Sequence, residues 1–457
     1  MFFKFAGKVW ALFMPFVLLF NSLSINIAPF ADSVEITYAF ANEAAYSAAG
    51  TVTLESKTDG EYQLFWGDEE GKKLSIDVKD YEATYSEFAE VEVENGSGST
   101  KIQSFTAIPD GAEYVVAYKM NVICGTMALP ENKIAAKEVP VYSFGALSDV
   151  HFNRYSNSLT TDDAMLTFPN ALSFIEAFDV ELVGISGDIS ADGERDAFEK
   201  FNSIVSGYDF PVYTCTGNHD VNTGNGLDLD AWHDNMNTGV YGEQKAEGVI
   251  EVAENGIDFV YAPESISGDV FIFFSQIAWD YNRPESRLVT DEQLDWLEEQ
   301  LELHKDTTVY LFFHTFFADD ENNTELGEGN IVNSAGKTYD LVYTVGCEDE
   351  VRFKGLLKEY RNVVFFNGHS HWAYDMQKYN TDLNITDYDG TYATMVHVSS
   401  VSSPRRIPSD NINDSDEYAM RSSEGYVIKV YENRIVLTGV DFLRGQPLAY
   451  ATYVIEK

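Results

Sequence analysis

The chain is 457 residues long, 45% hydrophobic and 14% aromatic, enough to bury sizeable cores in two or three domains. Its formal charge of −44 at pH 7 repels nucleic acid and anionic membranes at low salt and argues against a polyanion-binding module. Cys124, Cys215 and Cys347 are widely spaced and sit in no CxxC or Cys-His pattern, which excludes a disulfide framework and argues against a cysteine nucleophile or structural zinc.

The chain opens on what reads as a targeting segment. Lys4 and Lys8 precede an apolar run from Val9 to Phe20, and Ala39-Phe40-Ala41 fits a signal-peptidase site. A signal peptide over residues 1–41 is therefore expected, and with it a secreted or extracytoplasmic protein. The apolar run is short for a bilayer span, and no other run is long enough, so no stable membrane insertion is expected after cleavage.

Over residues 45–138 the pattern changes to short alternating segments: Thr51–Glu55, Tyr62–Trp66, Lys73–Val78, Ala89–Val93, Ile102–Ile108 and Tyr114–Met120. Period-two alternation at this spacing predicts a small all-β sandwich. The run Ile108-Pro-Asp-Gly-Ala-Glu-Tyr114 ahead of a strand resembles fibronectin type III-like domains. No catalytic cluster falls here, so a packing or spacer role is expected.

From residue 141 to 457 apolar strands alternate with helical stretches. Strands are predicted at Phe144–Leu147, Val180–Ile185, Phe210–Cys215, Asp269–Phe274, Thr307–Phe313 and Val363–Phe366. Helices are predicted at Asn170–Phe178, Arg195–Val205, Asp291–His304 and Glu350–Tyr360, and strands return at Gly425–Tyr431 and Arg434–Thr438. Such alternation predicts a layered α/β domain.

Ligands of α/β domains gather at the carboxyl ends of strands. Those ends carry Asp149 and His151, then Asp188, then Asn218 and His219, then His314, then His369 and His371. Five of the eight histidines in the chain fall at these points, beside carboxylates and an amide suited to a metal such as Mn, Fe or Zn. Of the others, His304 ends a charged helix and reads as solvated, and His397 lies on a strand and reads as structural. His233 is a candidate cleft residue, with a structural role as the leading reading.

The ordered blocks D-x-H, GD, GNHD, a lone H and GHSH make this region similar to the calcineurin-like metallophosphoesterase superfamily. The resemblance implies a four-layer α/β/β/α sandwich, commonly preceded in exported members by a β-domain. It implies two divalent or trivalent metal ions, one held by Asp149, His151 and His371, the other by Asn218, His314 and His369, with Asp188 bridging. It places His219 off the metals as general acid, with Asp220 as a partner orienting the imidazole. The implied reaction is hydrolysis of a small phosphomonoester or phosphodiester by a metal-activated hydroxide.

Specificity is less legible. The stretches Val221–Tyr261 and Phe316–Tyr343 read as pocket loops; Trp232, Tyr281, Phe316, Phe317 and Trp372 are candidates for stacking on a substrate ring, and Arg283 and Arg405 for pairing with phosphate. Two alternatives remain at this point. A 5′-nucleotidase-like enzyme would need a large domain after the last metal block, and only 86 residues follow His371. A non-catalytic extracellular binding or adhesion protein would have no use for His219, which no metal needs.

Overall fold

The computed structural model describes residues 33–78, 81–134, 138–153, 163–221, 248–266, 268–277, 288–317, 330–332, 338–340, 348–378, 383–387, 390–406, 418–419 and 422–457. Trp232, His233, Tyr281, Arg283 and Cys347, and the segment up to residue 32, lie outside the described residues.

The N-terminal unit contains β1 (Glu35–Phe40), β2 (Gly50–Glu55), β3 (Gly60–Gly67), β4 (Ser75–Val78), β5 (Tyr81–Thr84), β6 (Ala89–Val93), β7 (Ser97–Ile102), β8 (Tyr114–Lys119) and β9 (Val122–Ala128). They form a sheet of order β1-β2-β7, a sheet of order β6-β3-β8-β9 and the hairpin β4-β5. Alternation sends Val52 and Leu54 of β2 and Tyr62, Leu64 and Trp66 of β3 into one apolar core. The Trp66 ring stacks on Phe88 at 4.1 Å, and the Tyr62 hydroxyl is satisfied by Ser56 at 2.8 Å.

Two expectations fail here. Residues 35–40 are not a leader tail but a strand, paired with β2 from Glu35↔Glu55 to Phe40↔Gly50. Cleavage after Ala41 would strip that strand from its sheet, and a unit starting at residue 45 omits it. Ile102–Ile108 is not a strand either: β7 ends at Ile102, and Phe105 turns at φ 67°. Thr106 instead bridges Tyr453, near the far end of the chain.

The second unit opens with β10 (Tyr142–Leu147), α1 (Ala164–Glu176), β11 (Val183–Ile185), α2 (Arg195–Val205) and β12 (Val212–Thr214). It continues with β13 (Ile250–Val252), β14 (Phe259–Tyr261), β15 (Val270–Phe273), α3 (Asp291–Leu303), β16 (Val309–Phe312), the hairpin of β17 (Asn330–Val332) and β18 (Thr338–Asp340), α4 (Glu348–Glu359) and β19 (Val363–Asn367). Then follow β20 (Ile385–Thr386), β21 (Thr394–His397), the short pair β22 (Arg405–Arg406) and β23 (Tyr418–Ala419), and finally β24 (Glu424–Val430), β25 (Arg434–Asp441) and β26 (Gln446–Glu456). The helix expected from Asn170 begins earlier, because Pro169 sits inside α1 rather than opening it.

Six strands form one sheet in the order β12-β11-β10-β24-β25-β26, and seven form another in the order β13-β14-β15-β16-β19-β21-β20. One core joins Phe144, Ile185 and Tyr213 of the first sheet to Phe273, Phe312 and Phe366 of the second. The approach is close: a Cβ on Gly184 would overlap the Phe312 ring, so only glycine fits there. Phe168, Leu172 and Ile175 of α1 join that same core, while Leu294, Leu297 and Leu301 of α3 and Leu357 of α4 share another with Ile272, Leu311 and Phe365. Helix α3 starts in a capping box, Thr290 and Gln293 each satisfying the other's backbone N–H. His304 ends this helix half-buried rather than solvated, its carbonyl accepting from Asn362.

The N-terminal unit docks on β26, the edge strand of the six-stranded sheet. The Ala107 N–H donates to the Thr452 carbonyl (2.9 Å) and the Val454 N–H to the Phe105 carbonyl (2.7 Å). The Ser86 N–H donates to the Pro447 carbonyl (3.0 Å), and the Ser86 hydroxyl accepts from the Ala449 N–H (3.0 Å). These contacts occupy backbone groups that an open edge would present to other chains.

Candidate metal centre

The carboxyl ends of β10, β11, β12, β16 and β19 converge. Loops after β10 and β11 zip together through Asp149 N–H to the Gly187 carbonyl (3.2 Å) and His151 N–H to the Asp188 carbonyl (2.9 Å). Asp149, His151, Asp188, His369 and His371 all adopt left-handed backbone angles, with φ between 53° and 72°. Non-glycine residues seldom hold that conformation, and it concentrates at functional sites. Close approach matters too: a Cβ on Gly368 would run into the Ser148 hydroxyl and the Asp149 carboxylate.

Two donor sets result. In the first, Asp149, His151, Asp188 and His371 place ligand atoms within 4.8 Å of one another, all buried. The Nδ1 of His151 lies 3.3 Å from the Ser190 carbonyl and that of His371 3.2 Å from the Ser403 carbonyl. A carbonyl only accepts, so each Nδ1 carries a hydrogen, and with the ring neutral each Nε2 turns a lone pair to the centre. Those two Nε2 atoms face each other at 3.0 Å, and Asp149 Oδ1, beside them at 3.6 Å and 3.0 Å, receives no hydrogen bond. Three electron-rich atoms crowded together in a buried site fit a cation between them.

In the second set, His314 Nε2 lies 2.9 Å from Asn218 Oδ1 and 3.1 Å from Asp188 Oδ2, and His369 Nδ1 lies 2.8 Å from Asn218 Oδ1. His314 Nδ1 donates to the Ser186 carbonyl (2.7 Å), which again turns Nε2 inward. Ligand atoms about 2.1 Å from one ion stand roughly 3 Å apart, the spacing seen here. Asp188 belongs to both sets.

Electrostatics point the same way. Burial alone would raise the Asp149 and Asp188 carboxyls, but the surrounding imidazoles outweigh it and hold both below the usual carboxylate range. Burial pulls His151 and His369 down to about 3. Burial also opposes charging of His314, yet the Asp188 carboxylate wins and pushes it up to about 9. Two ionised carboxylates demand positive charge, and a proton on His314 supplies it where no cation does.

His219 stands beside these sets without joining either. Its ring lies edge-on to His151 at 4.7 Å, its N–H donates to Asp188 Oδ1 (2.9 Å), and its Nδ1 donates to the Ala191 carbonyl. The expected orienting role of Asp220 fails. Its carboxylate accepts instead from Ile189 N–H (3.2 Å), Ser190 N–H (2.9 Å), the Ser190 hydroxyl (2.9 Å) and Gly217 N–H (2.9 Å), tying two ligand loops together. A buried carboxylate four donors deep has no lone pair to spare for an imidazole, and the Ala191 carbonyl takes that job.

The sequence profile of the calcineurin-like phosphoesterase family matches residues 142–373, half of the chain, including every block just described. The chain belongs to this family. No curated protein sequence matches it. Among solved structures, this phosphoesterase is similar to a dimetal phosphatase from Danio rerio, at 15% identity over 69% of this chain and 99% of that one (TM-score 0.44). It is also similar to a purple acid phosphatase from yellow lupin (Lupinus luteus) seeds, at 14% identity over 93% of this chain and 74% of that one (TM-score 0.41).

Three aromatic residues singled out in the phosphoesterase sequence do other work. Phe316, Phe317 and Trp372 are at most 5% exposed, so none is a stacking platform; Phe317 packs on Phe353 and Phe365, and Phe316 lies against His369. Arg405 donates its backbone N–H to the His371 carbonyl, as part of the short β22 strand. Sequence reading passed over Ser148, whose hydroxyl donates to Asp149 Oδ2 (2.6 Å), and Ser400, whose hydroxyl donates to the Asp149 carbonyl (2.8 Å). Serines carry no pattern that marks them as supports; only their neighbours do. Cys124 and Cys215 form no disulfide with each other.

Proposed function

We propose that this phosphoesterase hydrolyses small phosphomonoesters or phosphodiesters with two metal ions, one held by Asp149, His151 and His371 and one by Asn218, His314 and His369, Asp188 serving both. The observation that carries the reading is the pair of buried donor sets meeting at the Asp188 carboxylate. Bound there, two cations supply charge for the phosphoryl oxygens and lower the pKa of a water nucleophile.

The protein's own residues do the rest. Ser148 and the His369 N–H (3.0 Å) hold Asp149 Oδ2, leaving Oδ1 for ligation. The Ala191 carbonyl fixes the His219 ring through Nδ1–H, so that Nε2–H of the protonated ring is the atom that delivers a proton to the leaving oxygen. Acid catalysis of this kind contributes about 10²–10⁴-fold. Asp220 keeps the turn bearing Asn218 and His219 against the Ser190 loop.

The same reading takes residues 141–457 as a four-layer α/β/β/α phosphoesterase domain. It takes the N-terminal unit, extended to include β1, as a fibronectin type III-like β-sandwich held as a spacer. Export is part of the proposal; cleavage upstream of Val34 would keep β1 in place.

The test is turnover of nitrophenyl phosphate, its bis-ester and nucleotides with Mn²⁺, Zn²⁺ or Fe²⁺, alongside metal content by elemental analysis. Two bound metals and hydrolysis are expected. The absence of both with every metal would sink the proposal. His219→Asn should keep both metals and lose about 10²–10⁴-fold in kcat/KM; a parallel loss of metal would make His219 a ligand instead.

A further inference from the structure

The fourth parallel-type strand end of the unit, that of β15, delivers no metal ligand, yet it lies where the two sheets meet the centre. Beyond Phe273 it presents Phe274, Ser275 and Gln276, all fully buried. The backbone carbonyl of Gln276 accepts from the Thr216 hydroxyl (2.5 Å), and its side-chain Oε1 accepts from the Thr315 hydroxyl (2.8 Å). Ser275 adds a second tie, its hydroxyl accepting from the Thr216 N–H (3.2 Å). Ser275 is itself fixed: its N–H donates to Asp258 Oδ1 (2.7 Å), and its carbonyl accepts from Gln293 Nε2 (2.9 Å) at the start of α3.

Thr216 is two residues before Asn218, and Thr315 directly follows His314. These two ligands belong to different sheets, Asn218 following β12 and His314 following β16, so no sheet ladder sets their separation. Their ligand atoms nevertheless stand 2.9 Å apart. We propose that Gln276 is a positioning residue for the second metal: it sets the Asn218 loop and the His314 loop to the separation that ion requires. It touches neither metal nor substrate. In the first set, His151 and His371 draw instead on the Ser190 and Ser403 carbonyls for their support.

The inference rests on the dimetal reading, so the experiment separates the two. Mn²⁺ is titrated calorimetrically into metal-stripped full-length protein, with bound equivalents counted by elemental analysis after dialysis. Wild type should take up two equivalents; fewer than two would overturn the dimetal reading and the inference with it. In Gln276→Leu, one equivalent should bind as in wild type and the other at least about tenfold more weakly, the scale of lost outer-shell support. Gln276→Glu, which keeps an acceptor for Thr315, should restore most of that loss.

Thr315→Val removes the same hydrogen bond from its other end and should reproduce the selective weakening. The double variant should then be no weaker than either single. It also serves where Gln276→Leu folds poorly. Wild-type affinity for both equivalents in both single variants, or an equal loss at both sites in step with a lower Tm, would overturn the proposal.

Discussion

Both halves of the molecule hold residues in left-handed backbone, but for different ends. In the N-terminal unit these are Asn95, Phe105, Met120 and Asn121, of which Met120 and Asn121 form the tight turn between β8 and β9. In the second unit they are Asp149, His151, Asn153, Asp179, Asp188, His369 and His371, five of them proposed ligands. Buried polar groups divide the same way. The first unit buries hydroxyls and Lys133, whose ammonium caps the Ala44 and Ser47 carbonyls; the second buries carboxylates and imidazoles against one another. Strain in a turn serves the chain's path. Strain in a ligand serves the side chain, and the packing of two sheets is what holds it there.

The strongest way to break this contrast is to remove the carboxylate common to both donor sets. Asp188→Ala should lower metal affinity at both sites by more than about 100-fold, since outer-shell partners alone are worth 10–100-fold. Turnover should be lost while the far-UV spectrum is kept; elemental analysis and circular dichroism check it. Retention of either metal at wild-type affinity would mean that Asp188 is not shared.

A smaller effect comes from Glu424, fully buried at the start of β24, where it accepts from the Tyr374 N–H (2.9 Å). Burial pushes its carboxyl up from 4.5 to about 7. The folded protein therefore holds this proton more tightly than the unfolded chain. Its contribution to stability is complete below about pH 4.5 and is lost as pH rises through about 7. Glu424→Gln should flatten the fall in Tm between pH 5 and pH 8 and stabilise the protein at pH 8 by up to about 3 kcal/mol. An unchanged pH profile of Tm would show that Glu424 is already ionised in the fold.

The smallest effect sharpens the comparison from the other side. Asn121→Val places a β-branched residue at φ 63° and should cost about 1–2 kcal/mol. Turnover and metal content should not change, because the turn supports only its own hairpin. Denaturant unfolding monitored alongside activity tests this; a matching loss of activity would mean that the N-terminal unit does more than pack.

Much of the second unit was legible because its signals are local. Arg195–Val205 forms the helix predicted there, and the helix predicted at Asp291–His304 forms as α3 over Asp291–Leu303. The N-terminal unit was less so. β7, Ser-Gly-Ser-Thr-Lys-Ile, is too polar to stand out, and exists because β2 pairs with it from Gly50↔Ile102 to Glu55↔Ser97. β1 hid behind a peptidase-like triplet, since small residues suit an edge strand as well as a cleavage site.

The sequence by itself determined the donor chemistry of the proposed site: two carboxylates, an amide and four imidazoles at successive strand ends, with His219 beside them. Those are properties of residue type and of position along a strand, which short-range periodicity reveals. Only the tertiary structure decided how they act together. Which imidazole faces which, that Asp188 lies in both sets, that Ala191 rather than Asp220 holds His219, and that Gln276 spans two ligand loops all depend on strand order and on two sheets meeting face to face. Contacts between residues 60 or more positions apart, such as Thr216 with Gln276, leave no trace in the local pattern. They exist only once the chain has paid the entropy of bringing those strand ends together.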